Sequence, residues 1–583
     1  MNLLFENKLN ATLAEIFKTL DLDIKFATVK VSDRPDLSDF QCNGALALAK
    51  IAHQNPRDIA AKIAGKLAQD EAIETVSVDG PGFINIKLKD EFIAANMDRM
   101  AQDKRLGCGE VENPHQVVLD FGGPNVAKEM HVGHLRSGVI GESIQRIERF
   151  VGNNVISDVH LGDWGTPMGM ILAEIIKSDG NLDKVTSYDI AQITEFYKQA
   201  NIRCKEDETA RENARKITAA LQGGDATYRR AWQHLRSESL KAIKANYEQL
   251  DVNFDLWLGE SDAHEICREV VKIARDKGIS EIDNGAEIIR LEETNKPKPP
   301  IIMIKSDGGF GYQLTDIATI KMRVDQFKAT EIVYFTDSRQ TLHFEQVFEA
   351  ADKLGIAPNV KLQHIVFGTV NGADGKPFKT RDGGVMNLET LIEMSKGKVR
   401  QSLPKADEVA GYGAAEIDKL TQQIAVAAIK FQDLKNTIAS GYVFELEDFA
   451  KFEGKTGPYI QYAVARINSV LRKAEANGLH EGKVILVAPE ERILALKLAQ
   501  IHNVIMRAHS EKEPSIIADY TYTLAQIFST FYNACSIMNA ENPDLASSRL
   551  RLAKLVRDVL ILMLNLLGIE APEVMLKAEN IGE

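Results

Sequence analysis

The chain has 583 residues, 44% apolar and 26% charged, the composition of folded globular domains rather than of a disordered polymer. Its net charge of −13 excludes non-specific nucleic-acid binding by a uniformly basic body, though not by local basic faces. No apolar run reaches the ~18 residues of a membrane span, and the N-terminus lacks the basic-then-apolar layout of a secretory signal, so a cytoplasmic protein without membrane contact is expected.

At roughly 100–200 residues per domain, three or four cores are expected. Residues 1–110 alternate helix-like stretches, such as Pro56 to Gln69 after an Asn-Pro signal, with strand-like ones, Ile73 to Val78 and Phe83 to Leu88, and read as a small α/β domain. Residues 111–400 read as a larger parallel-sheet domain. A buried strand from Gln116 (VVLDF) leads through a glycine-proline loop into a helix marked by Leu135, Val139, Ile140, Ile144, Ile147 and Phe150. A strand at Val155 to Val159 follows, and residues from about 185 to 285 read as a helical insertion. The α/β pattern resumes with four strand-like runs, IIRL, IIMIK, EIVYF and HIVFG. Residues 401–583 read as an all-α bundle. The five cysteines, Cys42, Cys108, Cys204, Cys267 and Cys535, are widely spaced, without a CxxC pair, and are expected to be reduced and structural.

The stretch FGGPNVAKEMHVGHLR, Phe121 to Arg136, concentrates chemistry. His131 and His134 are spaced three apart, not the four of a zinc-protease helix, and no third ligand stands out, so no metal is assigned. A cap at His131 with a core role for His134 is one alternative. An anion site is the other: a helix starting near His134 aims free N–H groups into the loop, and Lys128 adds charge where an attacked α-phosphate becomes more negative. Gly133 would leave room for a flat adenine ring.

This stretch resembles the HIGH signature of class I aminoacyl-tRNA synthetases, and PNVAKEMHVGHLRS is similar to that of arginyl-tRNA synthetases in particular. LGDWGTP, IKSDGGFGYQLTD, SRQTLHFEQVF, HIVFGTVNGADGKPFKTRDGG, KTGPYIQYAVARINSVLRKA and NLLGIEAPEVM follow in that family's order, and SDFQCNGALALAK resembles its N-terminal domain. The resemblance implies a Rossmann-type catalytic domain, an N-terminal α/β domain meeting the tRNA elbow, and a C-terminal anticodon-binding bundle. It also implies a ligase that converts arginine and ATP, with Mg²⁺ on the phosphates, to arginyl-adenylate and then esterifies tRNA(Arg). Activation is expected to require tRNA, and the chain to act as a monomer.

Site residues carry over on the same basis. Lys128, His131, His134, Lys379 and Arg381 are expected to be catalytic. The run from Lys376 to Arg381 departs from the usual KMSK, and in such arginyl enzymes the lysine before HIGH, here Lys128, supplies the missing charge. ATP is expected at His131, Gly133, His134, His364, Phe367 and Gly368. Arginine is expected at Asp120, Asn125, His131, Tyr312, Asp316 and Gln340, because an always-charged planar guanidinium calls for paired carboxylates. Thr315 stands where the family usually has arginine. In the bundle, Tyr459, Gln461, Tyr462, Arg466 and Arg472 are expected to meet the anticodon, a mixture of aromatic and cationic groups that suits splayed bases, although core packing of the tyrosines stays open. Eight residues follow Met575, near where the family tends to end. Two other functions are weighed: a small-molecule nucleotidyl transferase, which leaves the bundle unexplained, and a synthetase-like RNA binder without catalysis, against which the intact motif residues argue.

Overall fold

In the computed structural model the described residues are 5–34, 37–291, 298–372, 375, 386–404, 413–444 and 451–575. Lys379 and Arg381 lie outside them, as do the residues after Met575. Near the N-terminus a four-stranded antiparallel sheet runs in the order Val29–Val31, Phe40–Cys42, Phe83–Leu88, Ile73–Asp79. The helix Pro56–Leu67 starts where expected, because the Asn55 side chain accepts from Arg57 N and proline occupies the first turn. Its Ile59, Ile63 and Leu67 are buried.

The central sheet is parallel, in the order Lys361–Phe367, Glu331–Asp337, Gln116–Asp120, Asn154–Asp158. Val117, Val118 and Leu119 have no exposed surface, as expected of a parallel strand covered on both faces. From Gln116–Asp120 the chain first crosses to Asn154–Asp158 on one side and later returns to Glu331–Asp337 on the other. This reversal opens a crevice at the carboxyl ends of the strands, where ligands of such sheets bind.

Only two of the four expected late strands join this sheet. The runs IIRL and IIMIK instead form Ala286–Ile289 and Ile301–Ile304 of a three-stranded antiparallel sheet with Ser280–Asp283. For IIRL the cause is local: Asn284 and Gly285 take φ values of 49° and 80°, a tight hairpin turn that pairs Ala286–Ile289 with Ser280–Asp283, and Ile301–Ile304 adds to the other edge. The insertion before it is helical, as read: Ile190–Glu206, Glu208–Gln222 and Ala226–Gln249.

The helix Val132–Phe150 buries the expected apolar face and much of its polar face too. Arg136 pairs with Asp433 at 3.2 Å, Ser143 donates to Leu566 O at 2.8 Å, and Glu148 meets Lys512 at 2.6 Å. The helix is therefore wrapped by the sheet on one side and by the C-terminal helices on the other. Those helices are Ala414–Leu434, Gly457–Ala476, Pro489–Leu498, Ile501–Glu511, Ser515–Ala534 and Pro543–Leu566. Arg492 ties them to the N-terminal sheet through Asp39 at 2.6 Å and Asp90 at 2.7 Å. All five cysteines are buried and unbridged. Among the described residues no helix is long and apolar enough to cross a membrane.

Candidate active site

The loop after Gln116–Asp120 is shaped by close approaches. Gly122 has φ 82°, and a Cβ there would lie 2.6 Å from the Tyr247 hydroxyl, which donates to Gly122 O. Asn125 pairs with Gly162, and Val126 N donates to Gly162 O at 3.1 Å, which fixes the loop against the end of the neighbouring strand.

His131 is the N-cap of Val132–Phe150. Its Nδ1 accepts from Gly133 N at 3.0 Å, and His134 Nδ1 accepts from His131 N at 3.0 Å. The cap drawn from the sequence is therefore present at His131, with His134 buried behind it. With Nδ1 accepting, each neutral ring carries its proton on Nε2 as a donor. Burial pushes His134 down to about 3, and burial followed by the Lys128 charge lowers His131, so both rings stay neutral at physiological pH. At Gly133 a Cβ would sit 2.7 Å from the His131 ring, so its absence lets the histidine cap the helix. Beyond the basic run, Leu388 N donates to Met130 O and Val132 N to Met386 O, both at 3.0 Å, so that segment pairs directly with the histidine loop.

The remaining residues assigned to ATP are placed as follows. His364 Nε2 lies 2.7 Å from Thr336 Oγ1, and burial pushes the ring down to about 4. Phe367 is buried at its strand end. Gly368 is glycine because a Cβ would lie 2.3 Å from Gly441 N; its carbonyl accepts from Arg136 at 2.9 Å. Its small size thus serves packing against the chain near residue 441.

Where Asn125 meets Gly162 lies a cavity of about 290 Å³, lined also by Trp164, Glu260, Cys267, Phe310 and Tyr312, among others. Tyr312 opens the helix Tyr312–Phe327 and stacks on His343 at 5.1 Å, while His343 Nε2 meets Asp316 Oδ2 at 2.6 Å. Gln340 is exposed at the end of the short turn Ser338–Gln340 that follows Asp337. Glu260 is absent from the sequence-derived set. Burial, reinforced by Asp316, raises its carboxyl to about 7. No short motif flags it, because it reaches the cavity from the far end of the helical insertion. Trp164, within LGDWGTP, donates to His264 at 3.0 Å and forms the apolar wall. Asp120 is at the expected strand end, but one oxygen is already held by the buried Arg323 at 2.7 Å, and only 12% of its side chain is exposed.

On Gly457–Ala476 the anticodon set divides. Tyr459 packs on Tyr522 at 5.6 Å, and the Arg466 guanidinium lies 4.4 Å over Tyr532, while Arg472 is exposed and Tyr462 half-buried. Gln461 has to be corrected: it has no exposed surface and donates to Glu570 O at 2.7 Å and Gln423 O at 3.2 Å. At 100° per residue it lies about 200° round the helix from Tyr459 and faces inward. Tyr522 and Tyr532 extend the aromatic surface and come from a distant helix.

A Rossmann-type sheet whose switch-point loop caps its helix with HxGH, followed by a helical bundle, defines a class I aminoacyl-tRNA synthetase, a class that uses ATP as substrate. Residues 97–446 match the family described as tRNA synthetases class I (R), catalytic domain; residues 460–575 match the DALR anticodon binding domain, and residues 4–88 the arginyl tRNA synthetase N terminal domain. Among similar proteins are an arginine–tRNA ligase of Hyphomonas neptunium, 43% identical over 97% of this chain and 98% of the relative, and one of Alkaliphilus oremlandii, 40% identical over 97% and 99%. The solved arginyl-tRNA synthetase of Plasmodium falciparum superposes with a TM-score of 0.82 at 26% identity, over 98% of this chain and 99% of that one. That of Thermus thermophilus shares the fold, with a TM-score of 0.77 at 23% identity over 98% and 100%. The chain belongs to the arginyl-tRNA synthetase family.

Proposed function

We propose that the chain activates L-arginine with ATP as arginyl-adenylate and transfers the arginyl group to the 3′ end of tRNA(Arg), releasing pyrophosphate and then AMP. The observation that carries this reading is the buried Glu260 on the cavity wall, whose carboxyl is raised to about 7 by burial first and then by the nearby Asp316 charge. A guanidinium offers several donors in a rigid plane and would satisfy both carboxylates at once; an ammonium would satisfy them less completely. Asp120, Asn125, Tyr312 and Gln340 are assigned to the same substrate, with Asn125, His131 and Gln340 at its amino and carboxylate end.

The arginine carboxylate attacks the α-phosphate, and charge gathers on the phosphoryl oxygens as pyrophosphate leaves. Nε2–H of His131 and His134, the positive end of the helix dipole and Lys128 stabilise that charge, with Mg²⁺ carried on the nucleotide phosphates. A terminal ribose hydroxyl of the tRNA then attacks the activated carbonyl and AMP departs. Tyr459, Tyr462, Arg466 and Arg472 are assigned to the anticodon, and tRNA binding there is assigned a part in assembling the activation site.

The deciding experiment is AMP release measured with each amino acid in the presence of total tRNA. Release that depends on arginine and on tRNA supports the reading, and release supported equally by lysine overturns it.

A further inference from the structure

We propose that Arg323 is a positioning residue for amino-acid recognition, its guanidinium fixing the Asp120 carboxylate on behalf of the substrate. This rests on the reading that Asp120 faces the arginine.

Asp120 and Asp158 end neighbouring parallel strands and are register partners, so both carboxylates project to the same side of the sheet. Two buried carboxylates so placed would repel. Arg323 Nη2 lies between them, 2.7 Å from Asp120 Oδ2 and 2.9 Å from Asp158 Oδ2, with no exposed surface of its own. The two acids are used unequally. Asp158 also accepts from Leu258 N at 3.1 Å and His160 N at 3.4 Å, which commits it to the chain fold. Asp120 Oδ1 accepts no hydrogen bond from the described residues, so Arg323 leaves one oxygen for another donor.

The cation is itself incompletely satisfied. Arg323 Nε and Nη1, and the Tyr334 hydroxyl over whose ring the guanidinium lies at 5.3 Å, are buried without hydrogen-bond partners among the described residues. A buried charge in that state is costly as a purely structural device, since well-packed apolar groups would serve stability better. Its placement gives it another use. Tyr312, Asp316, Thr319 and Arg323 follow one another at intervals of four, three and four along one face of Tyr312–Phe327. Thr319 Oγ1 lies 3.4 Å from His160 Nε2. A single helix thereby sets Asp316 directly and Asp120 through Arg323, which keeps the two acids in a constant relation.

The groups facing Asp120 are Arg323 from the helix, Asp158 and His160 from the neighbouring strand and its loop, and Tyr334, its register partner on the other side. Burial raises the Asp120 carboxyl, and Arg323 is the largest opposing influence. Loss of the cation should therefore extend protonation of Asp120 to higher pH.

The test compares Asp120→Asn, Arg323→Lys and the double variant Arg323→Gln/Asp158→Asn, which removes the cation together with one of the two acids it neutralises. The full-length enzyme is assayed for charging of tRNA, with melting temperature measured alongside. The expected result is a rise of about tenfold or more in KM for arginine in each, with KM for ATP little changed. In Arg323→Gln/Asp158→Asn, which lacks the cation, the acid limb of kcat/KM for arginine should move upward in pH, and adding Asp120→Asn to either Arg323 variant should have no further effect. A folded Arg323 variant with wild-type KM for arginine and an unmoved acid limb overturns the inference. So does a parallel loss of arginine and ATP use that tracks the melting temperature. If Asp120→Asn itself leaves arginine use intact, the assignment of Asp120 falls and this inference with it, whereas arginine-dependent charging would still stand.

Discussion

His131 and His134 cap each other's turn: His134 Nδ1 accepts the His131 backbone N–H at 3.0 Å, and the two rings lie 4.0 Å apart. This contact helps orient the Nε2–H donors, and burial keeps both rings neutral. His134→Ala should lower kcat by about 10²–10³, the usual loss for one donor to a developing oxyanion, and cost about 1 kcal/mol of stability through the lost cap. Single-turnover activation and urea unfolding measure the two effects separately.

The same ring gives a stability prediction with a definite sign. His134 has a folded value of about 3 against an ordinary 6.5. Between those values the unfolded chain binds a proton that the folded chain refuses, so this contribution is present in full above pH 6.5 and is lost as pH falls toward 3. His134→Gln should reduce the drop in unfolding free energy between pH 7.5 and pH 5. An identical drop in variant and parent would contradict the assignment.

Glu260 titrates in the opposite sense. Its carboxyl is raised to about 7, so it reaches full charge only above neutrality until a guanidinium arrives. Glu260→Gln and Asp316→Asn should each weaken arginine use by about 2 kcal/mol, or ~30-fold in kcat/KM, and leave ATP binding nearly unchanged. The parent enzyme's KM for arginine should fall as pH rises through 7, and that dependence should vanish in Glu260→Gln.

Lys128→Ala should reduce kcat far more than it raises KM for ATP, because its charge counts most as the pentavalent phosphate forms. Lys379→Ala is the control: abolished activity there, with Lys128→Ala near wild type, would move the role to the basic run.

On the bundle, Arg466→Ala should lower charging and arginine-dependent pyrophosphate exchange together without altering ATP affinity. Exchange should be nearly absent without tRNA, and brisk exchange in RNA-free enzyme would refute the coupling. Gln461→Ala should behave differently. It removes the bonds that the buried amide donates to Glu570 O and Gln423 O, costing about 1 kcal/mol of stability, with KM for tRNA unchanged in the folded enzyme.

Local order was legible in the chain wherever one segment decides its own conformation. The Asn-Pro start at Asn55, the strand at Gln116 and the helix bearing Leu135 to Phe150 follow from caps and apolar spacing, and FGGPNVAKEMHVGHLR together with the later blocks carried the family. What the sequence left open were pairings between segments far apart. Whether IIRL and IIMIK join the parallel sheet, whether Glu260 reaches the cavity, that Arg323 already holds Asp120, and that Gln461 faces inward beneath Tyr459 are decided by which surfaces meet. Residue type and spacing constrain a single helix or strand. Burial and ion pairing depend on the partner that another part of the chain brings, and only the tertiary structure supplies it.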